Sequence, residues 1–383
     1  MSEKFKKIVE FVHQLYNSSD FIPLHEPRFV GNEKKYLNEC IDSTFVSSVG
    51  KFVDRFEETI RDYTGAKFAV ATVNGTAALQ IALKLAGVQN GNEVITQPLT
   101  FIATCNAISY CGAEPVFIDV EKDTLTMSSC KLEEFLETGT IVKDDGNCYS
   151  KQTNRVISAC VPVHTFGHPA KIEQIKALCE KHNIIIVEDA AESLGSTYKG
   201  KHTGTFGLLG IYSFNGNKTI TCGGGGAIVT DDEPLGRRAK HITTTAKVPH
   251  QFEYVHDEIG YNYRMPNINA ALACAQMENL EDFITRKREL ANEYRTFFNA
   301  MGIGFIVEPE DCRSNYWLNS IVLGGRDERD NFLKYSNMNG VMTRPIWRLM
   351  NKLDMYKDCQ HTTLENAQWL EDRAVNIPSS VRV

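Results

Sequence analysis

An acidic side chain and a lysine follow two strands that the sequence predicts. Ile184–Val187 is an apolar run typical of a buried parallel strand, and it leads directly to Glu188 and Asp189. A second strand pattern, Gly210–Phe214, leads into a polar loop that contains Lys218. A lysine amine can form a Schiff base with an aldehyde, and a carboxylate can keep a pyridine nitrogen protonated. The pair therefore suits pyridoxal 5′-phosphate chemistry, with Lys218 and Asp189 as the candidate catalytic residues.

A purely structural explanation of this pair stays open on these residues alone. Most Asp and Lys side chains lie on solvated surfaces, and carboxylates at strand ends often cap turns. The surroundings favour the chemical interpretation, because open α/β sheets bind their ligands at the carboxyl ends of the strands. A run of four glycines at residues 223–226 also follows Lys218 and precedes a third strand pattern, Ala227–Thr230.

Three separated motifs resemble those of the DegT/StrS family of sugar-nucleotide aminotransferases. They are Glu188–Glu192, Ser213 and Phe214 followed by Lys218, and the glycine run at residues 223–226. The resemblance extends over nearly the whole chain, from Ile22 to Pro378. It implies an enzyme that aminates a keto sugar attached to a nucleoside diphosphate. It also implies pyridoxal 5′-phosphate as the cofactor and the fold known as type I among enzymes that use it.

The resemblance assigns cofactor contacts to two elements of the first half of the chain. The turn after the strand Phe68–Thr72 opens a helix, and the first amides of a helix favour anions. By resemblance, Gly75 and Thr76 in this turn hold the cofactor phosphate, although the same residues also suit a plain helix cap. Phe101 is expected to stack on the pyridine ring. That role rests on its position, because a phenylalanine is otherwise most often a core residue.

Three more contacts are implied by the resemblance. Ser213 is expected to donate to the cofactor phosphate. Glu192 is expected near the phenolic oxygen, where family members commonly have Gln or His. Asn262 belongs to the motif Gly260–Met265, whose asparagine reaches the cofactor phosphate of the neighbouring subunit. We therefore expect a homodimer with shared active sites, although an isolated asparagine would suit a turn or a helix cap.

Strand and helix patterns alternate from Phe68 to Val187, which predicts an α/β fold. The expected architecture is a mainly parallel central sheet flanked by helices. His164 follows one of the strand patterns, so it could orient Asp189 or be an ordinary core histidine.

The predicted domain organisation has three parts. Residues 1–20 form an added N-terminal helix, residues 21–265 a large cofactor-binding domain, and residues 266–383 a smaller C-terminal α+β domain. The apolar stripe of the first segment predicts a packing helix, with a helix lying on a membrane surface as the alternative. Helical periodicity over residues 267–295 predicts one helix, and Tyr316–Leu323 predicts a strand.

Composition narrows the class of protein. The chain has 383 residues, of which 42% are hydrophobic and 23% charged, as expected for a soluble globular protein of about two domains. Its net charge of −7 and the lack of a dense basic cluster argue against a nucleic acid partner. Its eleven cysteines have no metal-ligand spacing and no signal peptide precedes them, so we expect reduced thiols, a cytoplasmic location and no metal site. No stretch approaches the roughly 18 apolar residues of a membrane span.

The predicted reaction is a two-stage transamination, for which the resemblance implies L-glutamate as the amino donor. Lys218 would act first as a base and then as an acid. The expected acceptor is the C4 ketone of a UDP- or GDP-linked 4-keto-6-deoxy sugar. The pattern is most similar to enzymes that supply diamino sugars and nonulosonic acids for bacterial surface glycans. There are two alternatives. One is a related sugar dehydratase, against which Lys218 itself argues because those enzymes carry His at this position, and the other is a non-catalytic sugar-nucleotide-binding regulatory homologue.

Overall fold

The computed structural model describes residues 2–382. The α-helices are α1 (Ser2–Tyr16), α2 (Glu33–Asp42), α3 (Lys51–Thr64), α4 (Gly75–Leu85), α5 (Ile102–Tyr110), α6 (Ser129–Gly139), α7 (Ile172–Lys181), α8 (Glu233–Thr243), α9 (Asn267–Met277), α10 (Leu280–Ala300), α11 (Arg326–Met338) and α12 (Glu365–Glu371). The strands are β1 (Phe68–Thr72), β2 (Glu93–Thr96), β3 (Glu114–Phe117), β4 (Thr140–Val142), β5 (Cys148–Ser150), β6 (Ile157–Cys160), β7 (Ile185–Asp189), β8 (Thr197–Tyr198), β9 (Lys201–His202), β10 (Leu209–Ser213), β11 (Gly226–Thr230), β12 (Lys247–Val248), β13 (Val255–His256), β14 (Gly304–Phe305), β15 (Cys312–Arg313), β16 (Asn319–Val322), β17 (Arg344–Pro345) and β18 (Ala374–Ile377). Within residues 2–382, no helix combines the length and the hydropathy that a bilayer crossing requires.

A seven-stranded sheet with the order β1-β11-β10-β7-β6-β2-β3 forms the centre of the molecule. The neighbouring strands from β10 to β3 are parallel, and β11 is antiparallel to both β1 and β10. This confirms the mainly parallel α/β sheet that the alternating patterns predict.

Helices cover both faces of the sheet because successive strand residues point to opposite sides. Ile211 and Ile228 pack in one core with α4, α5 and α8, whereas Tyr212 and Val229 pack in another with α3 and α9. Both faces of the sheet are therefore covered by apolar side chains, which explains why polar and apolar residues do not alternate along these strands.

The topology brings three chain segments to one edge of this sheet. β7 and β10 are parallel, and β1 runs in the same direction because each of β1 and β10 is antiparallel to β11. Their carboxyl ends therefore meet. Asp189 ends β7, Ser213 ends β10, and the turn after β1 leads into α4 at Gly75.

A second, antiparallel sheet with the order β14-β16-β18-β17 lies in the C-terminal part of the chain. Its core contains Leu290 and Tyr294 of α10 together with Phe5, Ile8 and Val12 of α1. The apolar stripe of the N-terminal helix is thus buried against this sheet, which leaves the membrane-surface alternative without an exposed apolar face. The three-part domain division itself stays a prediction.

The segment predicted as a single helix over residues 267–295 is two helices, α9 and α10. α9 packs against α2 and α3 beside the large sheet, whereas α10 packs on the C-terminal sheet. Glu278 lies at the break, where it accepts hydrogen bonds from Asn32, Tyr36 and Arg55. The first turns of α10 share the core beside the large sheet with α9, and only its later turns pack on the C-terminal sheet. Tertiary packing therefore breaks a helix that local periodicity alone would continue.

Candidate active site

A cavity of about 390 Å³ opens at the carboxyl edge of the large sheet, and this volume is typical of small-molecule sites. Its lining includes every predicted site residue except Asn262, namely Gly75, Thr76, Phe101, Asp189, Glu192, Ser213 and Lys218. The structure thus brings together residues that lie more than 140 positions apart in the chain, as a common sheet edge predicts.

Asp189 presents a buried carboxylate to this cavity from the end of β7. Its Oδ2 accepts a hydrogen bond of 2.8 Å from the Thr104 hydroxyl, and its Oδ1 accepts one of 3.2 Å from the Ala191 amide. Burial raises the pKa of Asp189 because the charged form loses water, while these two donors act in the opposite direction. Asp189 can therefore bind a positively charged group in the cavity, because its carboxylate is oriented by two donors and is largely removed from water.

Glu188 points away from the cavity, because successive strand residues alternate between faces. Its carboxylate accepts a 3.0 Å hydrogen bond from His164 Nε2 and others from the backbone amides of Gly204, Phe206 and Gly207. His164 Nδ1 accepts from the Ala170 amide, so the proton lies on Nε2. Of the two alternatives that the sequence leaves open, His164 is therefore the buried core histidine and does not orient Asp189. His164 instead donates to Glu188, the neighbouring acidic residue.

Thr104 takes the orienting role, which was not predicted from the sequence. Its Oγ1 lies 2.8 Å from Asp189 Oδ2 and 2.8 Å from Thr100 Oγ1. Since the Thr104 hydroxyl donates to the carboxylate, it accepts from Thr100, and the two threonines form a short chain. Thr100 lies in the bend just before α5 and Thr104 in the first turn of that helix, so their spacing of four residues brings the two hydroxyl groups together. That spacing is the signal that could have identified them.

Lys218 projects its amine into the same cavity. Its Nζ donates to Glu192 Oε1 over 3.2 Å and lies 3.9 Å from the centre of the Trp317 ring. The other oxygen of Glu192 accepts a 2.8 Å hydrogen bond from the Phe166 amide. Burial raises the pKa of Glu192, and the positive charge of Lys218 opposes this effect. Sequence reasoning placed Trp317 in a strand and missed its contact with the lysine.

The start of α4 forms a recess suited to an anion. The Asn74 side chain accepts from the Ala77 amide at 2.8 Å, so Asn74 is the helix cap. The first amides of the helix, including those of Gly75 and Thr76, have no partner within the helix itself. A Cβ added to Gly75 would lie only 2.8 Å from Ser213 Cβ, so glycine is required for this close approach. Asn74 therefore caps the helix, and the free first amides leave room for an anion, so the two alternatives that the sequence leaves open are compatible with each other.

Phe101 supplies an aromatic wall. Its side chain is 52% exposed although it lies beside the cavity, and its ring centre is 6.3 Å from that of Trp347. It is therefore not a core residue. An amine, a buried carboxylate, an anion recess and a free aromatic face are the groups that pyridoxal 5′-phosphate needs, so the cavity fits this cofactor.

Asn262 lies on the surface, outside the cavity of its own subunit. Its Oδ1 accepts hydrogen bonds of 3.0 and 2.9 Å from Nε and Nη2 of Arg264. These bonds engage the oxygen of the amide and orient the side chain.

The chain is similar to known proteins over nearly its whole length. Residues 27–383 match the model of the DegT/DnrJ/EryC1/StrS aminotransferase family. The chain is 39% identical over 361 residues to GDP-perosamine synthase of Escherichia coli O157:H7, covering 94% of this chain and 93% of that protein. It is 35% identical over 361 residues to GDP-perosamine synthase of Vibrio cholerae, covering 94% of each.

A solved structure agrees with the fold. The crystal structure of a DegT DnrJ EryC1 StrS aminotransferase from Brucella abortus superposes with a TM-score of 0.81 at 27% sequence identity. The superposition covers 91% of this chain and 90% of that one.

Proposed function

This chain belongs to the DegT/DnrJ/EryC1/StrS aminotransferase family, and from that premise we propose that it transfers an amino group from L-glutamate to the C4 ketone of a GDP-linked 4-keto-6-deoxy sugar. It is a pyridoxal-phosphate-dependent sugar aminotransferase, as its family is. The observation that supports the proposed amino transfer is the convergence of the Lys218 amine, the buried Asp189 carboxylate and the anion recess on one cavity.

The choice of GDP rests on relatives. Two proteins that are 39% and 35% identical to the chain over nearly its full length are named GDP-perosamine synthase. Their names favour GDP over UDP. A place in diamino-sugar or nonulosonic-acid biosynthesis, which the sequence resemblance implies, stays a prediction. The UDP-linked acceptor is the second candidate.

The cofactor contacts are proposed from the positions of the lining side chains. Gly75, Thr76 and Ser213 would hold the phosphate, because they surround the recess at the start of α4. Phe101 would cover the ring, Asp189 would pair with the ring nitrogen, and Glu192 would lie near the phenolic oxygen. Lys218 would attach the cofactor through its amine.

When bound, the cofactor supplies an aldehyde for covalent attachment and a ring that draws electrons from the reacting carbon. Lys218 takes the proton from the donor Cα and later returns a proton at the other end of the exchange. Asp189 would stabilise a positive charge on the ring nitrogen, and Thr104 keeps its carboxylate in one orientation. Glu192 and Asp189 are both buried, so water does not compete for these charges.

We further propose that the active form is a homodimer in which Asn262 serves the partner's cofactor phosphate. Several large apolar side chains that precede Asn262 in the chain are exposed to solvent in the isolated subunit. Among them are Phe252, Tyr254 and Ile259, whose side chains are 81%, 82% and 87% exposed. Exposed apolar groups in such number are typical of protein interfaces. A second copy of the chain would cover them and bring Asn262 to a neighbouring site.

Incubation of the purified protein with glutamate and a panel of GDP- and UDP-linked 4-keto-6-deoxy sugars tests the proposed reaction. We expect a 4-amino sugar from a GDP-linked acceptor together with stoichiometric 2-oxoglutarate, and no product from Lys218→Ala. Amination of UDP-linked sugars alone would contradict the nucleotide assignment. A product that has lost a hydroxyl group without gaining nitrogen would identify the dehydratase alternative instead.

A further inference from the structure

The amine of Lys218 is enclosed by two groups of opposite kinds. The indole ring of Trp317 lies over it, with 3.9 Å from Nζ to the ring centre, and the Glu192 carboxylate accepts its hydrogen bond at 3.2 Å. The Lys218 and Glu192 side chains are only 13% and 4% exposed. The amine therefore has an aromatic face and a carboxylate as neighbours, and little contact with water.

Trp317 is held in this place by its side chain and by its backbone. Its indole Nε1 donates to the carbonyl of Asn217, the residue before Lys218, over 2.6 Å. Its amide donates to Asn315 Oδ1 at 2.8 Å, and its carbonyl accepts from Lys287 at 3.1 Å. The indole thus ties the segment that carries it to the loop that carries the lysine.

The same segment also fixes the carboxylate. Asn315 Nδ2 donates to the backbone carbonyl of Glu192 at 2.9 Å, and the Phe166 amide donates to the Glu192 side chain. Both neighbours of the lysine amine are therefore anchored by residues beyond the cavity wall. This arrangement limits the positions that the amine can occupy.

Both neighbours favour the protonated amine over the neutral one. A carboxylate attracts an ammonium by charge, and the face of an indole attracts it through the ring quadrupole, more strongly when water is excluded. In the proposed function, Lys218 must keep a proton between taking it from the donor and returning it. Trp317 and Glu192 therefore stabilise the protonated form that the Lys218 amine has in the middle of the reaction.

We propose that Trp317 is a positioning residue which, with Glu192, holds the free Lys218 amine as an ammonium at one place in the cavity. The inference rests on the proposed role of Lys218 as the proton carrier. The proton balance is closed: Nζ gains one proton when the donor Cα loses one, Nζ gives one back on return, and Glu192 neither gains nor loses a proton.

Competitive labelling with acetic anhydride measures this effect, because only the neutral amine reacts. The full-length protein is labelled over a range of pH, both free of cofactor and loaded with pyridoxamine 5′-phosphate, and Lys218 is quantified by peptide mapping. For Trp317→Leu, the labelling profile of Lys218 should move to lower pH. Where the wild-type amine is mostly protonated, its rate should rise by about 3- to 30-fold, the range expected for a cation–π contact. Trp317→Phe keeps an aromatic face and should restore most of the wild-type profile.

Trp369→Leu is the matched control. Trp369 also lies beside cations, with Lys122 and Arg373 each 4.9 Å from its ring centre, but it lies outside the cavity. This variant should leave the Lys218 profile unchanged.

Two results would overturn the proposal. One is an unshifted profile in Trp317→Leu, and the other is a rise by the same factor at every pH, which would mean only easier access for the reagent. Labelling of the cofactor-free protein needs no turnover. It therefore reports on Trp317 even if the panel of sugar nucleotides yields no product.

Discussion

The Thr104 hydroxyl donates a hydrogen bond to the Asp189 carboxylate, with 2.8 Å between Oγ1 and Oδ2. Thr104 belongs to α5 and Asp189 ends β7, so the contact joins a helix on one face of the sheet to the edge where the cavity opens. Because Thr100 donates to Thr104 in turn, the carboxylate is oriented by a chain of two hydroxyl groups rather than by a histidine.

Replacement of Thr104 by valine removes this donor and keeps the shape of the side chain. We expect Thr104→Val to lower the rate of the glutamate half-reaction by about tenfold or more, because hydrogen bonds to charged groups contribute about 1.5–3 kcal/mol. Asp189→Asn should cost about a thousandfold or more, since it removes the charge that the ring nitrogen needs. Both rates can be followed by the absorbance of the bound cofactor. A Thr104→Val enzyme with the wild-type rate would show that Asp189 needs no orienting partner.

Borohydride reduction of the cofactor-loaded enzyme should leave a pyridoxyl group on Lys218, because its amine is the one that projects into the cavity. Peptide mapping by mass spectrometry identifies the labelled residue. Lys199 and Lys201 are exposed lysines in the same part of the chain and serve as internal controls. A label on either of them would refute the assignment. Lys218→Ala should still bind the cofactor, without a covalent bond, and show no turnover.

Mixed dimers should reveal whether the sites are shared. Lys218→Ala subunits are combined with Asn262→Ala subunits under conditions that allow exchange. If Asn262 serves the partner's site, each mixed dimer has one site with both lesions and one with neither, and about half of the wild-type activity per mixed dimer should return.

A mixture of Lys218→Ala with Asp189→Asn is the control, because both residues line the cavity of their own subunit. Every site then keeps one lesion and activity should stay low. If the Asn262→Ala mixture behaves like this control, Asn262 acts within its own subunit and the shared-site proposal is lost.

Lys287 should make stability depend on pH. It is fully buried, donates to the carbonyls of Trp317 and Ser379, and burial lowers its pKa to about 7. The unfolded chain, with a lysine pKa of about 10.4, binds a proton that the folded chain lacks between these values. The free energy of unfolding should therefore rise with pH in this window, by at most about 1.4 kcal/mol per pH unit.

Lys287→Met removes this contribution. The free energy of unfolding of the cofactor-free protein is measured with denaturant at a fixed protein concentration. Between about pH 7.5 and 9 it should rise by about 2 kcal/mol more for the wild type than for the variant. Lys7→Met, at an exposed lysine of α1, controls for the loss of one positive charge and should run parallel to the wild type. Parallel curves for the wild type and Lys287→Met would contradict the prediction.

The sequence by itself determined which residues carry the chemistry and in which order they follow the strands. Asp189, Ser213 and the turn at Gly75 each lie at or just after the end of a strand, and strands that run in one direction must end at one edge of a sheet. The cavity could therefore be predicted from local patterns together with a general rule of sheet topology. No detailed knowledge of packing was needed.

Only the tertiary structure decided which side chains support that chemistry. Trp317 over Lys218, Thr104 on Asp189 and Glu188 with His164 are contacts between distant segments. Local patterns put Trp317 in a strand, but Tyr316 before it has a positive φ of 46° and β16 begins only at Asn319. Such contacts depend on how separate elements pack, and burial rather than periodicity selects the partners, because a polar group removed from water must find one.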